Sequence, residues 1–226
     1  MIRFLKPAPG SSVIERFKVA IDDPELFSLL ESWLRLAKDG LLPDKGRFDP
    51  LDHRNLLPRM WIYELTEDRS DFVGKLCGEE IRHVWRQTTK GLPLSQISSP
   101  DRFWSGLRRR LYCVTAPAVL LGQSMEQARF AVKRLSLPFT DPQGRLYVLG
   151  ASQYDFQIVD PFEPRHPFRY SQNALAARAA DLVCASHGSP GGQETSEGRE
   201  SADGTASDDQ AAINSRTWAA QASPRA

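Results

Sequence analysis

The sequence predicts an α+β fold, in which an antiparallel five-stranded sheet is covered on one face by short helices and one longer helix, with an N-terminal flanking helix. Two hairpins support this prediction. The first joins extended segments at residues 60–65 and 72–76, which are rich in aromatic and β-branched residues. The second spans residues 130–156, where side chains alternate with a period of two around a turn at 140–144. A further strand is expected at residues 119–123.

Helices are predicted between the two hairpins. Short ones are expected at residues 79–86 and 92–97, and a longer one at 101–115, where Pro117 ends the pattern. The apolar residues of the longer helix recur on one face, as a helix that covers a sheet requires. These residues are Phe103, Leu107, Leu111 and Val114.

An amphipathic helix is also predicted from Asp23 to Gly40. Asp23 before Pro24 suits a helix N-cap, and Gly40 suits a stop. The apolar face consists of Leu26, Leu30, Trp33 and Ala37. This face needs a partner surface, either the chain's own sheet or a second copy of the chain, and we favour a dimer. The structure of residues 13–21 stays open.

Composition divides the chain into segments. Residues 1–22 form a lead, 23–58 a helical extension and 59–160 the core. Prolines break the chain in 161–184, where an alanine-rich stretch from residue 171 favours a short helix. Residues 185–226 contain few large apolar side chains and are predicted to be disordered, because they cannot bury enough surface to offset the entropy cost of ordering.

The overall charge is nearly balanced. Lys+Arg 29 against Asp+Glu 28 leaves a net charge of +1, which gives no reason to expect nucleic acid or an anionic membrane as a partner. The 3 cysteines have no C-x-x-C spacing. No secretory signal and no run of about 20 apolar residues is present. These features predict a protein of the reducing cytoplasm.

The one local concentration of charge is Arg108-Arg109-Arg110 on the longer predicted helix. Successive helical residues point about 100° apart, so the run covers most of the helix circumference. A solvated face is the preferred interpretation, and a docking site for an anion or a protein is the alternative. The aromatic residues around the run are assigned to the core side: Phe103, Trp104 and Tyr112.

Short motifs occur in a fixed order between Ser28 and Phe156. They are Asp49-Pro50, Leu56-Leu57-Pro58 with Trp61, Phe72-Val73-Gly74-Lys75-Leu76-Cys77-Gly78 with Ile81, Gly91-Leu92-Pro93-Leu94, and Leu135-Ser136-Leu137-Pro138-Phe139 with Gly144. In their order and spacing they resemble the single-domain bacterial PAS-like proteins that carry a short N-terminal helical extension. Leu-Pro-hydrophobic before an Asp/Gly turn is typical of the penultimate strand of that family.

The resemblance implies a pocket between the sheet and the short helices, where a ligand can bind. It also implies that the outer sheet face and the N-terminal helix pair with another protein. The pocket candidates are His83, Trp85, Trp104, Leu111, Leu135, Leu137 and Phe139. Leu135, Leu137 and Phe139 would form the pocket floor. Arg134 and Ser136 would then lie on the opposite face of the sheet.

The cofactor stays unknown. The resemblance does not extend to haem, because the long helix has no axial histidine, or to a flavin photosensor, because Cys77 and Cys113 lack an Asn-Cys-Arg context. Both cysteines are interpreted as small buried hydrophobes. His53 is interpreted as an exposed polar residue, and His83 as a structural histidine with a pocket contact as the alternative. None has metal-ligand spacing, and no metal is predicted.

No catalytic motif stands out in the sequence, and the chain is predicted not to be an enzyme. We expect a non-catalytic PAS-like sensory or regulatory domain of bacterial signalling, which binds a small ligand or a protein partner of its pathway. Neither nucleic acid nor a membrane is expected as a partner. A ligand-free protein-interaction adaptor is the first alternative. A small-molecule-binding enzyme on an α+β cup is the second.

Overall fold

A six-stranded antiparallel sheet forms the centre of the computed structural model, which describes residues 12–37, 41–126, 130–155 and 172–186. The strands are β1 Met60–Leu65, β2 Phe72–Cys77, β3 Ala118–Glu126, β4 Phe130–Thr140, β5 Leu146–Asp155 and β6 Gln172–Arg178. Their order in the sheet is β2-β1-β5-β4-β3-β6. The α+β class and the antiparallel sheet are confirmed, but the sheet has six strands instead of five.

The helices lie before, within and after the strands. They are α1 Val13–Ala20, α2 Pro24–Leu36, α3 Glu79–Trp85, α4 Leu94–Ile97, α5 Pro100–Thr115 and α6 Ala179–Ser186, with 3-10 turns at Lys45–Arg47 and Pro50–Arg59. The predicted start of α2 is confirmed, because Oδ1 of Asp23 accepts hydrogen bonds from the backbone N–H groups of Glu25 (2.9 Å) and Leu26 (3.2 Å). Residues 13–21, whose structure could not be predicted, contain helix α1.

The sixth strand corrects the prediction of a helix from residue 171. Gln172–Arg178 pairs antiparallel with β3, and the helix begins only at Ala179. Alanine favours a helix in isolation, but β3 offers unpaired backbone groups along its edge. Pairing with that edge satisfies the backbone of β6, so tertiary context overrides local propensity.

The sheet is covered on both faces, whereas the sequence predicted a cover on one. On the first face, here called the α2 face, α1, α2 and α6 bury Val119, Leu121, Leu135, Leu137, Phe139, Tyr147, Leu149 and Ala151. On the second, here called the α5 face, α3, α4 and α5 bury Trp61, Tyr63, Leu65, Phe72, Ala118, Leu120, Val132 and Val148. The second face corresponds to the predicted cover.

The period of two in β4 is confirmed, but its direction is reversed. Leu135 and Leu137 are fully buried on the α2 face instead of facing the short helices. Arg134 and Ser136 alternate with them and therefore lie on the α5 face. Alternation fixes which residues share a face, but it cannot say which face is which when both are covered.

Helix α2 lies against its own sheet, which is the first of the two arrangements that the sequence allowed. Its predicted apolar residues are fully buried there: Leu26, Leu30, Trp33 and Ala37. Phe17 of α1 is buried in the same cluster. The predicted dimer would therefore have to use surfaces other than this apolar stripe.

Several sequence predictions lie outside the described residues. They concern Gly40, Phe156, the proline-broken stretch before residue 172 and the tail beyond residue 186. Among the helices that the structure describes, none combines the length and the apolar character needed to cross a membrane.

Candidate functional site

The predicted pocket residues do not meet at one place. Leu135, Leu137 and Phe139 lie on the α2 face, on the far side of the sheet from α3, α4 and α5. The sequence grouped them with residues of those helices because both sets were expected to face one cover. They pack a core with α2 instead.

The candidates on α3 and α5 divide in a similar way. Trp85 and Leu111 pack against the buried cluster of the α5 face. His83 is exposed on α3, beside a surface groove of about 650 Å³. Trp104 is 55% exposed on α5. The predicted pocket residues are thus divided between the two faces of the sheet and the surface of α3 and α5.

In the middle of the α5 face, the indole ring of Trp61 lies against Gly150. Gly150 is paired with Trp61 of β1 on one side and with Ser136 of β4 on the other. A Cβ atom at Gly150 would lie 2.5 Å from Cζ2 of Trp61, so glycine is what lets the ring approach the strand. The indole Nε1 donates a 3.1 Å hydrogen bond to Oγ of Ser152.

The next row across the sheet is polar. Ser152 is paired with Arg134, and Arg134 is paired with Gly122. Nη1 of Arg134 donates a 3.0 Å hydrogen bond to Oγ of Ser124. Ser136 and Ser152 are only 7% and 1% exposed. Because Oγ of Ser152 accepts from the indole, its own proton remains available for an acceptor.

Arg110 brings a guanidinium from α5 onto this face. Its Cζ lies 4.4 Å from the ring centroid of Tyr63 and 5.5 Å from that of Trp61, which is cation–π geometry. Nη1 donates a 3.3 Å hydrogen bond to the carbonyl oxygen of Gly106, one turn earlier in the helix. Nε is buried and has no hydrogen-bond partner within the described residues.

No carboxylate of the described residues forms a salt bridge with Arg110. Asp71 is near enough to act on its charge, but that carboxylate accepts hydrogen bonds from the backbone N–H groups of Phe72 (2.6 Å) and Ser95 (3.2 Å). Burial lowers the pKa of the Arg110 guanidinium, and the positive charge of Arg134 adds to this effect, outweighing the opposite influence of Tyr63 and Asp71.

Arg110 was not predicted as a site residue, because the arginine run was interpreted as one solvated face. Arg108 is indeed exposed. Arg110, however, follows buried Leu107 by three residues and precedes buried Val114 by four, which places it on the side of α5 that faces the sheet, where it is half-buried. That spacing was the available signal.

The same helix corrects the assignment of its aromatic residues. Trp104 and Tyr112, expected on the core side, are 55% and 46% exposed. Phe103 packs against the buried cluster as expected. Two aromatic residues predicted to face the core are therefore exposed, whereas Arg110, predicted to be solvated, contacts the ring of Tyr63.

Two groups with catalytic potential are held in inert settings. Cys113 is fully buried, and burial raises the pKa of its thiol well above the ordinary value. His53 is buried, contrary to the expectation that it is exposed, and its ring stacks on Phe48 at 5.7 Å. Its Nε2 lies 3.0 Å from Oγ of Ser32, and burial lowers its pKa. Both residues serve packing.

No protein-family model matches the sequence, and comparisons with curated proteins and with solved structures found no match either.

Proposed function

We propose that this chain is a PAS-like sensory domain that binds a small ligand on the α5 face. The observation that carries the proposal is the contrast between the two faces of the same strands. Towards α2, β4 and β5 present a mostly apolar surface, with the buried Lys133 at one end paired with Asp22. Towards α5, they present Arg134, Ser136 and Ser152 around Gly150, between the buried Val132 and Val148. A few convergent polar groups amid apolar walls are typical of small-molecule sites.

The order of the elements supports the PAS-like interpretation. A hairpin, short helices, one longer helix and three consecutive strands follow one another, as the sequence resemblance implies. That resemblance locates the ligand between the sheet and the short helices. The polar groups of the α5 face lie on this side.

Binding is favoured over catalysis by the kinds of groups on this face. Arg110, Arg134 and the serine hydroxyls can hold a ligand but have no activating base among the described residues around them. The carboxylate of Asp71 is engaged by two backbone N–H groups. Two guanidinium groups beside buried serine hydroxyls suit recognition better than proton transfer.

Native mass spectrometry of the full chain tests the proposal. We expect freshly purified wild-type protein to retain a small molecule at stoichiometric occupancy. Ser136→Leu should fill the α5 face and abolish retention, while Leu135→Met, its neighbour on the α2 face, should preserve it. Circular dichroism would verify that both variants fold. Absence of any ligand across several growth conditions, together with no binding of added compounds, would contradict the proposal.

A protein-interaction adaptor is the second candidate, and one observation favours it. Trp104 and Tyr112 are exposed and lie eight residues apart on α5, so they share one side of the helix with Arg108 between them. Exposed aromatic residues with arginine are enriched at protein interfaces. If the chain acts as an adaptor, Trp104→Ser with Tyr112→Ser should abolish recovery of a partner in a pull-down without affecting ligand retention.

A further inference from the structure

We infer that the ligand of the α5 face is a small organic carboxylate, held by the guanidinium of Arg110. This inference rests on the proposed function, since it names the chemical class of the ligand that the sensory domain would bind. It also assigns the anchoring role to a residue that the sequence placed in solvent.

The guanidinium of Arg110 has no counterion among the described residues. Arg110 stacks on Tyr63 and donates to the Gly106 carbonyl oxygen, but Nε has no acceptor and no carboxylate of the described residues pairs with the guanidinium. Burying a cation without a counterion costs free energy, and so does leaving an N–H without a partner. A ligand carboxylate would supply both the negative charge and the missing acceptor.

The planar shape of the Arg110 guanidinium favours a carboxylate among the possible anions. A guanidinium presents planar pairs of N–H groups, which match the two oxygens of a carboxylate. Because Nη1 of Arg110 is turned to its own helix, Nε and Nη2 remain as the edge that can form such a pair. The stacking on Tyr63 fixes the plane of this edge, so the donor is oriented before the ligand arrives.

The charge around Arg110 also favours an anionic ligand. Arg134 lies on the same face of the sheet as Arg110, close enough for its positive charge to act on that guanidinium. An anion beside Arg110 would also be attracted by the positive charge of Arg134. The hydroxyls of Ser136 and Ser152 lie in the neighbouring rows and can bind a polar group on the body of the ligand.

The test uses the full chain as wild type, Arg110→Met, Arg110→Lys and the control Arg108→Met, which removes an exposed arginine from the same helix. Each protein is purified identically, its retained ligand is counted by native mass spectrometry, and the released molecule is identified. Where no ligand is retained, sodium benzoate and its neutral isostere benzamide serve as probes in thermal-shift titrations. Circular dichroism verifies folding.

We expect an acidic ligand on wild type and Arg108→Met, and affinity weaker by about tenfold or more in Arg110→Met, as the loss of a charge-assisted hydrogen bond implies. Arg110→Lys, which keeps the charge but not the planar pair of donors, should also bind more weakly. It keeps the test valid if Arg110→Met fails to fold.

Three results would overturn the inference. A neutral or phosphorylated ligand would exclude a carboxylate, while leaving the proposed sensory function intact. Equal retention by wild type and both Arg110 variants would show that Arg110 only stacks on Tyr63. Failure of wild type to retain any ligand or to prefer benzoate over benzamide would exclude the carboxylate, and failure to bind any compound would exclude the sensory function as well.

Discussion

The indole Nε1 of Trp33 in α2 donates a 2.8 Å hydrogen bond to the carbonyl oxygen of Pro138 in β4. Both residues are buried, and they are 105 positions apart in the chain. The bond ties the N-terminal helix to a central strand of the sheet. It also gives α2 a specific place on the chain's own core, since a buried indole N–H requires an acceptor.

Trp33→Phe should therefore destabilise the fold. Phenylalanine keeps an aromatic ring but leaves the Pro138 carbonyl without its indole donor and opens a small cavity. We expect the free energy of unfolding, measured by urea denaturation, to fall by about 2 kcal/mol. Trp104→Phe, at an exposed position of α5, should change the free energy of unfolding by less than about 0.5 kcal/mol. Equal stability of wild type and Trp33→Phe would argue against a structural role for this bond.

The elements of this fold were largely readable from the sequence because their signals are local. The Asp23-Pro24 start of α2 and the Asp141 to Gly144 turn between β4 and β5 both depend on side chains within a few residues of one another. Strand β6 was not readable in this way. Its alanines prefer a helix, and the edge of β3 that overrides this preference is far away in sequence, with Ala118 pairing with Arg178.

The candidate site was predicted less well for a related reason. The residues of β4 were correctly divided into two sets, but the choice of face depended on α2 packing against its own sheet, which no local pattern reveals. Leu135 and Leu137 were consequently expected beside the ligand, and Ser136 on the face left for the N-terminal helix or a partner. In the structure Leu135 and Leu137 pack under α2, and Ser136 lies on the α5 face.

The contact between Gly150 and Trp61 gives a second prediction. A Cβ atom at Gly150 would lie 2.1 Å from the carbonyl oxygen of Leu135 and 2.5 Å from Cζ2 of Trp61. Gly150→Ala must therefore displace backbone or the indole, and we expect a loss of about 2 kcal/mol in the free energy of unfolding. Ligand retention should fall as well, because Trp61 supports the stacking on Arg110.

The matched control for Gly150 is Gly46→Ala. A Cβ atom there would lie 3.3 Å from Oδ1 of Asp44, so a shift of a few tenths of an ångström makes room for it without breaking the hydrogen bond from the Gly46 N–H to that oxygen. We expect a change of less than about 0.5 kcal/mol in urea denaturation. If the two alanine variants are equally stable, the close approach of Trp61 to the strand is not a constraint on this fold.

The third prediction concerns the pH dependence of stability through Asp23. This carboxylate caps α2 and forms a 2.6 Å salt bridge with Arg59. Burial alone would raise its pKa, but the hydrogen bonds from Arg59, Leu26 and Glu25 and the charge of Arg59 outweigh burial and lower the pKa below its ordinary value. The folded protein therefore binds this proton less readily than the unfolded chain does.

The sign of the effect follows from that difference. The stabilisation is complete above the pKa of the unfolded carboxyl, about 4, and is lost as the pH falls through the lower folded pKa. Asp23→Asn keeps an oxygen for the cap but removes the charge, so it should lower the free energy of unfolding by about 1 kcal/mol at neutral pH. The difference from wild type should shrink as the pH falls below about 4.

Glu31→Gln, on an exposed position of the same helix, should show no such trend in urea denaturation at each pH. A gap between wild type and Asp23→Asn that stays constant down to acid pH would mean that the charge of Asp23 does not stabilise the fold.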